Sequence, residues 1–170
     1  RLGHLARAMA DAGDSCLVFT QYRGTSEPLH DFLAGIFGAP GLTLHGGTPL
    51  AERRERVAAF RHPGGPRFFI LSLKAAGTGL TLTRARHVIH FDRWWNPAVE
   101  NQASDRAYRI GQTQPVLVHP LICRGTIEEN IHRMLTAKRA LADNLLSGGL
   151  EKLLLNLPPE ELSELLGLTP

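Results

Sequence analysis

The sequence predicts an α/β protein: an open, mostly parallel sheet flanked by helices. Three observations carry this. Five short runs of β-branched and apolar residues are continuously apolar rather than alternating, as strands buried on both faces of a parallel sheet are. Segments with helical periodicity lie between those runs. Strands that alternate with helices close as βαβ units with right-handed crossovers.

Helical spacing begins at once, with Leu2, Leu5, Ala6 and Met9 on one side. Position 1 is Arg rather than Met, so the chain reads as a piece of a longer protein. Cys16–Thr20 is the first strand, and 27–37 is a helix with Leu29, Phe32, Leu33 and Ile36 as its apolar face. The second strand is 42–45. Thr48-Pro49 supplies an N-cap and a first-turn proline for a helix over Leu50–Arg61. That helix turns Val57 and Phe60 inward and Arg53, Arg54 and Arg56 outward. Strands three and four are 67–72 and 87–91, and Asn96-Pro97 opens a helix over 97–108. The fifth strand is 116–122. Ile127–Leu146 is the longest helix, with Ile127, Ile131, Met134, Leu135, Leu141 and Leu145 apolar. Gly148-Gly149 reads as a stop and hinge, and 158–168 as one small helix. The expected domains are a lobe over 1–148 and a short helical tail over 149–170 packed on it. Ligands of open parallel sheets bind beyond the carboxyl ends of the strands. The connections after Thr20, His45, Ser72 and Phe91 are therefore the ones expected to carry function.

Composition narrows the class. The 170 residues are 43% hydrophobic, enough to bury a core, which excludes a disordered tail. No apolar run reaches the ~18 residues that span a bilayer, and no secretory signal pattern opens the chain. Two cysteines, Cys16 and Cys123, cannot build a disulfide framework or a Cys-rich metal site. Both lie in apolar runs and read as small core residues, in keeping with a reducing cytoplasm. The net charge of +3 hides a gradient: 52–109 holds 11 Arg/Lys against 5 Asp/Glu, and 126–170 holds 4 against 7. A basic middle is an electrostatic footprint for phosphates, of nucleic acid or of nucleotide.

Four constellations stand out. In Gln102-Ala-Ser-Asp-Arg-Ala-Tyr-Arg-Ile-Gly-Gln112, Arg106 and Arg109 are three apart and would share a helix face. Guanidinium forks bind phosphate oxygens bidentately and stay charged. A plain solvated face with an Asp105–Arg109 pair would not account for the bracketing Gln102 and Gln112 or the Gly111 stop. Ser72-Leu-Lys-Ala-Ala-Gly-Thr-Gly-Leu-Thr81 follows a buried strand, and its Gly77 and Gly79 make either a tight turn or a phosphate cradle. His45-Gly46-Gly47-Thr48 at the mouth of a helix is either a capped turn or an anion site. Asp92-Arg-Trp-Trp-Asn-Pro97 offers Trp94 and Trp95, one as core anchor and the other as a stacking surface.

Other chemistry is missing. The chain has no Gly-x-x-x-x-Gly-Lys-[Ser/Thr] loop, no Asp-Glu pair after a strand, no His-Glu-x-x-His and no Gly-x-Ser-x-Gly. Its eight His are scattered, so no metal site is expected. Arginines and phosphate cradles are present without the other half of an ATPase.

The run from Asp92 to Gln112 resembles the hallmark of Swi/Snf-type DNA translocases within superfamily-two helicases. Leu17-Val-Phe-Thr-Gln-Tyr22, Leu44-His-Gly-Gly-Thr48 and 71–83 match further motifs of that family in order and spacing. The paired Trp and short loops look more like its bacterial or archaeal members. The resemblance covers roughly 2–148 and implies the second RecA-like lobe of a two-lobe motor with ATP between the lobes. It implies that Arg106 and Arg109 are arginine fingers, and that Gln102 and Asp105 lie at the nucleotide–DNA interface. Gly77 and Gly79 match the loop that senses nucleotide and DNA. His45, Gly46, Gly47, Thr48, Ser72 and Lys74 match segments facing one strand's phosphates, with Thr81 and Trp94 beside them at the DNA. It also implies Mg²⁺ with its ligands on the first lobe, duplex DNA and that lobe as partners, no membrane, and a cytoplasmic, nucleoid-associated location. Thr78 stands where Val is more usual, and 23–28 is an unusual helix entry. A free-standing nucleic-acid-binding module and an RNA helicase lobe are the competing readings. The Trp-Trp-Asn-Pro and Arg-Ile-Gly-Gln runs favour the DNA motor over the second, and the intact arginine pair favours it over the first.

Overall fold

In β1 (Cys16–Thr20) every residue is buried, because both faces of the strand are covered. Cys16 and Val18 join one core cluster, and Leu17 and Phe19 join another. β3 (Phe68–Ser72) divides in the same way: Phe68 and Ile70 lie with the first cluster, Phe69 and Leu71 with the second. In β4 (His87–His90), Ile89 and Val88 follow suit. This is the period-two alternation of a strand between two helix layers. With β2 (Leu42–Leu44) and β5 (Leu117–Pro120) they form a five-stranded sheet in the order β2-β3-β1-β4-β5, parallel throughout. The expected α/β class is the observed one. The structure, a computed structural model, describes residues 1–76, 79–94 and 96–146.

The first cluster is closed by α1 (Leu2–Ala12) through Ala6 and Met9, and by α2 (Ser26–Phe37) through Leu29 and Leu33. The second is closed by α3 (Leu50–Arg61) through Phe60 and by α5 (Pro97–Ser104) through Ala103. The short α4 (Leu73–Ala76) adds Leu73 and Ala75 to that second cluster. The chain divides into two compact units, Arg1–Ile131 and His132–Pro170. The division falls inside α6 (Ile127–Leu146). The stop at Gly148-Gly149, the tail over 149–170 and the helix over 158–168 lie outside the described residues.

Several local expectations change. The helix from Pro97 ends at Ser104 rather than at Tyr108; beyond it the chain runs in tighter turns, with the Arg106 and Ala107 amides bonded three residues back, and the Arg106 carbonyl accepts from the Leu82 amide at 2.8 Å. β5 is shorter than expected, and its Leu117 and Val118 are about half exposed. It is an edge strand among the described residues, and Pro120 is tolerated at such an edge. Cys16 is buried as expected, with burial pushing its thiol up to about 12, but Cys123 is exposed. Phe32 is also exposed, lying over Gly3 of α1 rather than in the core. Arg53 and Arg56 fold back instead of pointing outward. Arg53 binds the carbonyls of Thr48 and Gly46, and Arg56 the carbonyl of Thr43 and the carboxylate of Glu52.

Candidate functional site

The β2, β3 and β4 exits carry the motifs, and all open at the carboxyl edge of the sheet, where the β1 exit also lies. At the β2 exit the turn closes on itself. The Thr48 amide donates to the His45 carbonyl at 3.0 Å, and the His45 amide to the Thr48 hydroxyl at 3.2 Å. The Gly47 amide donates to Nδ1 of His45 at 3.2 Å. Thr48 therefore braces the turn rather than capping α3, whose N-cap position is Pro49 with no side-chain cap. The amides of Gly47 and Thr48 are already engaged, and the positive charge at this turn is the Arg53 guanidinium. Its guanidinium lies across the turn, 2.8 Å from the Thr48 carbonyl and 2.7 Å from that of Gly46. Arg53 was not among the expected site residues. Its place in the first turn of a helix that follows a Gly-Gly loop was the available signal.

At the β3 exit, Ser72 is buried and its hydroxyl accepts from the Ala75 amide at 3.3 Å, turning the chain into α4. Lys74 lies in α4, with its side chain outside the described set, and Gly77 lies outside the described residues. Gly79 takes φ +70°, a left-handed conformation with open space around it, which L side chains adopt only at a cost.

The arginine-bearing turn packs on this loop. Arg109 is exposed, and its guanidinium donates to the Gly79 carbonyl at 3.1 Å and to the Thr81 hydroxyl at 3.3 Å. Arg106 is 9% exposed, with Nε donating to the Gln102 carbonyl at 3.2 Å. The two arginines therefore do not share an exposed helix face. They lie beyond the helix end, one buried and one at the surface. No Asp105–Arg109 ion pair forms among the described residues; Asp105 and Gln102 are exposed near the α5 end. An exposed guanidinium held only by a carbonyl and a hydroxyl can exchange them for phosphate oxygens, which bind it more strongly.

At the β4 exit, Asp92 accepts from the Thr20 hydroxyl at 2.5 Å and from the Gln21 amide at 2.9 Å, joining the ends of β1 and β4. Burial pushes the Asp92 carboxyl above its usual range, against those two hydrogen bonds. Arg93 and Glu100 are 3% and 2% exposed and meet in a two-point ion pair at 2.9 and 3.0 Å. Glu100 also accepts from the Trp94 amide at 3.0 Å. Trp94 is half-buried and packs against the second cluster. Trp95 lies outside the described residues. Among the described residues no group of three or more His, Cys, Asp or Glu is placed to hold a metal ion.

Residues 2–111 match the family described as helicase conserved C-terminal domain. The chain is 47% identical over 169 residues to a candidate ATP-dependent helicase/translocase of Bacillus subtilis (strain 168), YwqA, covering 99% of this chain and 18% of YwqA. It is 44% identical over 108 residues to the human chromatin-remodeling ATPase INO80, covering 64% of this chain and 7% of INO80. Among solved structures it is similar to the Sulfolobus solfataricus SWI2/SNF2 ATPase core in complex with dsDNA. That match has a TM-score of 0.68 and 37% identity, covering 96% of this chain and 34% of the other. The chain thus spans less than a fifth of the length of either curated relative.

Proposed function

The chain belongs to the helicase C-terminal domain family, with homologues among the SWI2/SNF2 ATPases, and on that premise we propose that it is the second motor lobe of an ATP-dependent duplex-DNA translocase. The observation that carries this reading is the exposed Arg109 guanidinium beside the Gly79 turn at the carboxyl edge of the sheet. A phosphoryl-transfer transition state spreads negative charge, and an arginine brought in from a second lobe stabilises it only when the cleft closes. Arg109 does this from the surface and Arg106 from beneath it. We assign Gly79, Gln102 and Asp105 to the nucleotide side, and Gly77 with them on the strength of the sequence motif alone. We assign His45, Gly46, Gly47, Thr48, Ser72, Lys74, Thr81 and Trp94 to the DNA side, with the buried Thr48 and Ser72 bracing their turns rather than meeting phosphate themselves. Phosphate contacts carry no sequence information, which suits a protein that moves along any duplex.

The nucleotide is ATP. We assign the ligands of its Mg²⁺ to the first lobe, as the resemblance implies. None of the described helices is long and apolar enough to cross a membrane. A motor that tracks duplex DNA works where the DNA is, so we assign it to the nucleoid in the cytoplasm.

The test is steady-state ATPase of the full-length protein with Arg109→Ala and Arg106→Ala. The expected result is a fall in kcat on the order of 10³-fold or more, as for arginine fingers elsewhere, with DNA affinity within about two-fold of the parent. A parallel loss of DNA binding and kcat would make the arginines a DNA grip and overturn the reading.

A further inference from the structure

Gln112 closes the bracketed motif and is not among the phosphate-facing residues. Its side-chain Nε2 donates to the carbonyls of Thr83 at 2.7 Å and Ala85 at 3.1 Å, and lies 3.4 Å from that of Ala107. Its Oε1 accepts from the Gln114 amide at 3.0 Å. Three carbonyls on one side and an amide on the other fix the orientation of the amide group, since the reversed group would set oxygen against oxygen. The backbone is committed as well: the Gln112 amide donates to the Arg109 carbonyl at 2.9 Å. Gly111, at φ +101°, supplies a bend a side chain would strain.

The loop 79–85 and the turn 105–112 are thus joined at three places. Arg109 reaches Gly79 and Thr81; the Leu82 amide reaches the Arg106 carbonyl at 2.8 Å; Gln112 reaches Thr83 and Ala85. The first joint is an exposed side chain that must let go if Arg109 is to meet a phosphate. The other two sit over Leu82, Ala85 and Ala107, all fully buried. Once Arg109 lets go, Gln112 is the side-chain fastening that remains among these bonds.

We propose that Gln112 is a positioning residue. It holds the backbone of the arginine turn on the loop 79–85, so that engaging the phosphate is a side-chain movement of Arg109 and not a movement of the whole turn. The inference rests on Arg109 acting as proposed above. Its physical basis is the steep dependence of rate on placement, where a misplacement of about 1 Å costs about 10²-fold.

The experiment is a double-mutant cycle in the full-length protein. Gln112→Met keeps the volume and removes both donors, and it is made alone and with Arg109→Ala. DNA-stimulated ATPase, KM for ATP, DNA affinity and the thermal midpoint are measured for each. The expected result for Gln112→Met is a fall in kcat of about 10- to 100-fold, with KM and DNA affinity within about two-fold. In the Arg109→Ala background the same change costs nothing more, because Gln112 acts through that side chain. An unchanged kcat in Gln112→Met overturns the proposal. An equal, additive loss in both backgrounds, accompanied by a fall in thermal midpoint, also overturns it and leaves Gln112 a structural fastening only. If Arg109→Ala by itself leaves kcat intact, the arginine-finger reading fails first, and the cycle shows that separately.

Discussion

Arg93 and Glu100 show what a buried ion pair does at the β4 exit. Both carboxylate oxygens of Glu100 are used by Arg93, and one also by the Trp94 amide. Glu100→Ala would take away the carboxylate that meets a guanidinium at 3% exposure. Removing one partner of such a pair costs about 3–5 kcal/mol, whereas replacing both by apolar residues of similar volume is often neutral. Urea denaturation should therefore show a large loss for Glu100→Ala and a much smaller one for Arg93→Met with Glu100→Leu. Equal losses would contradict the argument. A second residue-scale effect lies at the amino ends of the strands. His87 bridges Asp14 and His119 at 3.1 Å on each side, and Arg86 also pairs with Asp14. Burial, and then the neighbouring His87, hold the His119 pKa below its usual 6.5. The unfolded chain then takes a proton that the folded chain resists, so stability falls as pH drops through about 6.5 toward the lowered value. Burial raises the Asp14 carboxyl, but hydrogen bonds from His87 and Arg86 outweigh it and hold it low. Its contribution is present above the ordinary carboxylate range and is lost as pH falls through the lowered value. Denaturation midpoints at about pH 7.5 and about pH 5.5 should differ less in His119→Gln than in the parent; the same difference in both would refute this.

Among the elements, α5 has the most demanding task, since it delivers the arginine turn. It starts where Asn96 accepts from the Ala98 amide at 2.9 Å with Pro97 in its first turn. It ends at Ser104, and the turn beyond it is tied to the loop before it where Leu82 donates to the Arg106 carbonyl. Asn96→Ala removes the cap and should cost about 1 kcal/mol of stability. Measured by urea unfolding, no change would mean that the buried Glu100 and Ala103 alone hold the helix. α3 has a comparable role at the other end of the site, where Arg53 binds its helix start to the His45–Thr48 turn.

For the molecule as a whole, the sequence contains no P-loop, and the sheet is filled by its own strands. The 170-residue chain on its own should therefore fold, unfold cooperatively and show no DNA-stimulated ATPase. Activity in the pure chain that Arg109→Ala abolishes would overturn this. The basic stretch 52–109 should give weak duplex binding without sequence preference. Each phosphate neutralised should add about −0.9 to the slope of log K against log salt. Isotherms that do not move with salt would contradict it.

The sequence by itself determined the sheet class, the buried central strands and the starts of α3, α5 and α6, because those follow from local periodicity, burial on two faces and turn residues, whereas the short α4 was not legible in it. β1 and α3 fall on the residues their patterns mark, and Asn96 caps α5 through its own next turn. It also singled out Arg106, Arg109 and the two glycine loops as candidates for meeting phosphate. What only the tertiary structure decided is how those parts meet. The turn beyond α5 is tied down by a hydrogen bond from Leu82, 24 positions before Arg106. The Gly47 and Thr48 amides are spent inside their own turn, and Arg53 supplies the charge there instead. Arg106 is buried and Arg109 exposed, although their spacing treats them alike. Each of these turns on hydrogen bonds and burial between segments far apart in the chain, or on a side chain folding back on its own loop, which the local pattern of apolar and polar residues does not encode.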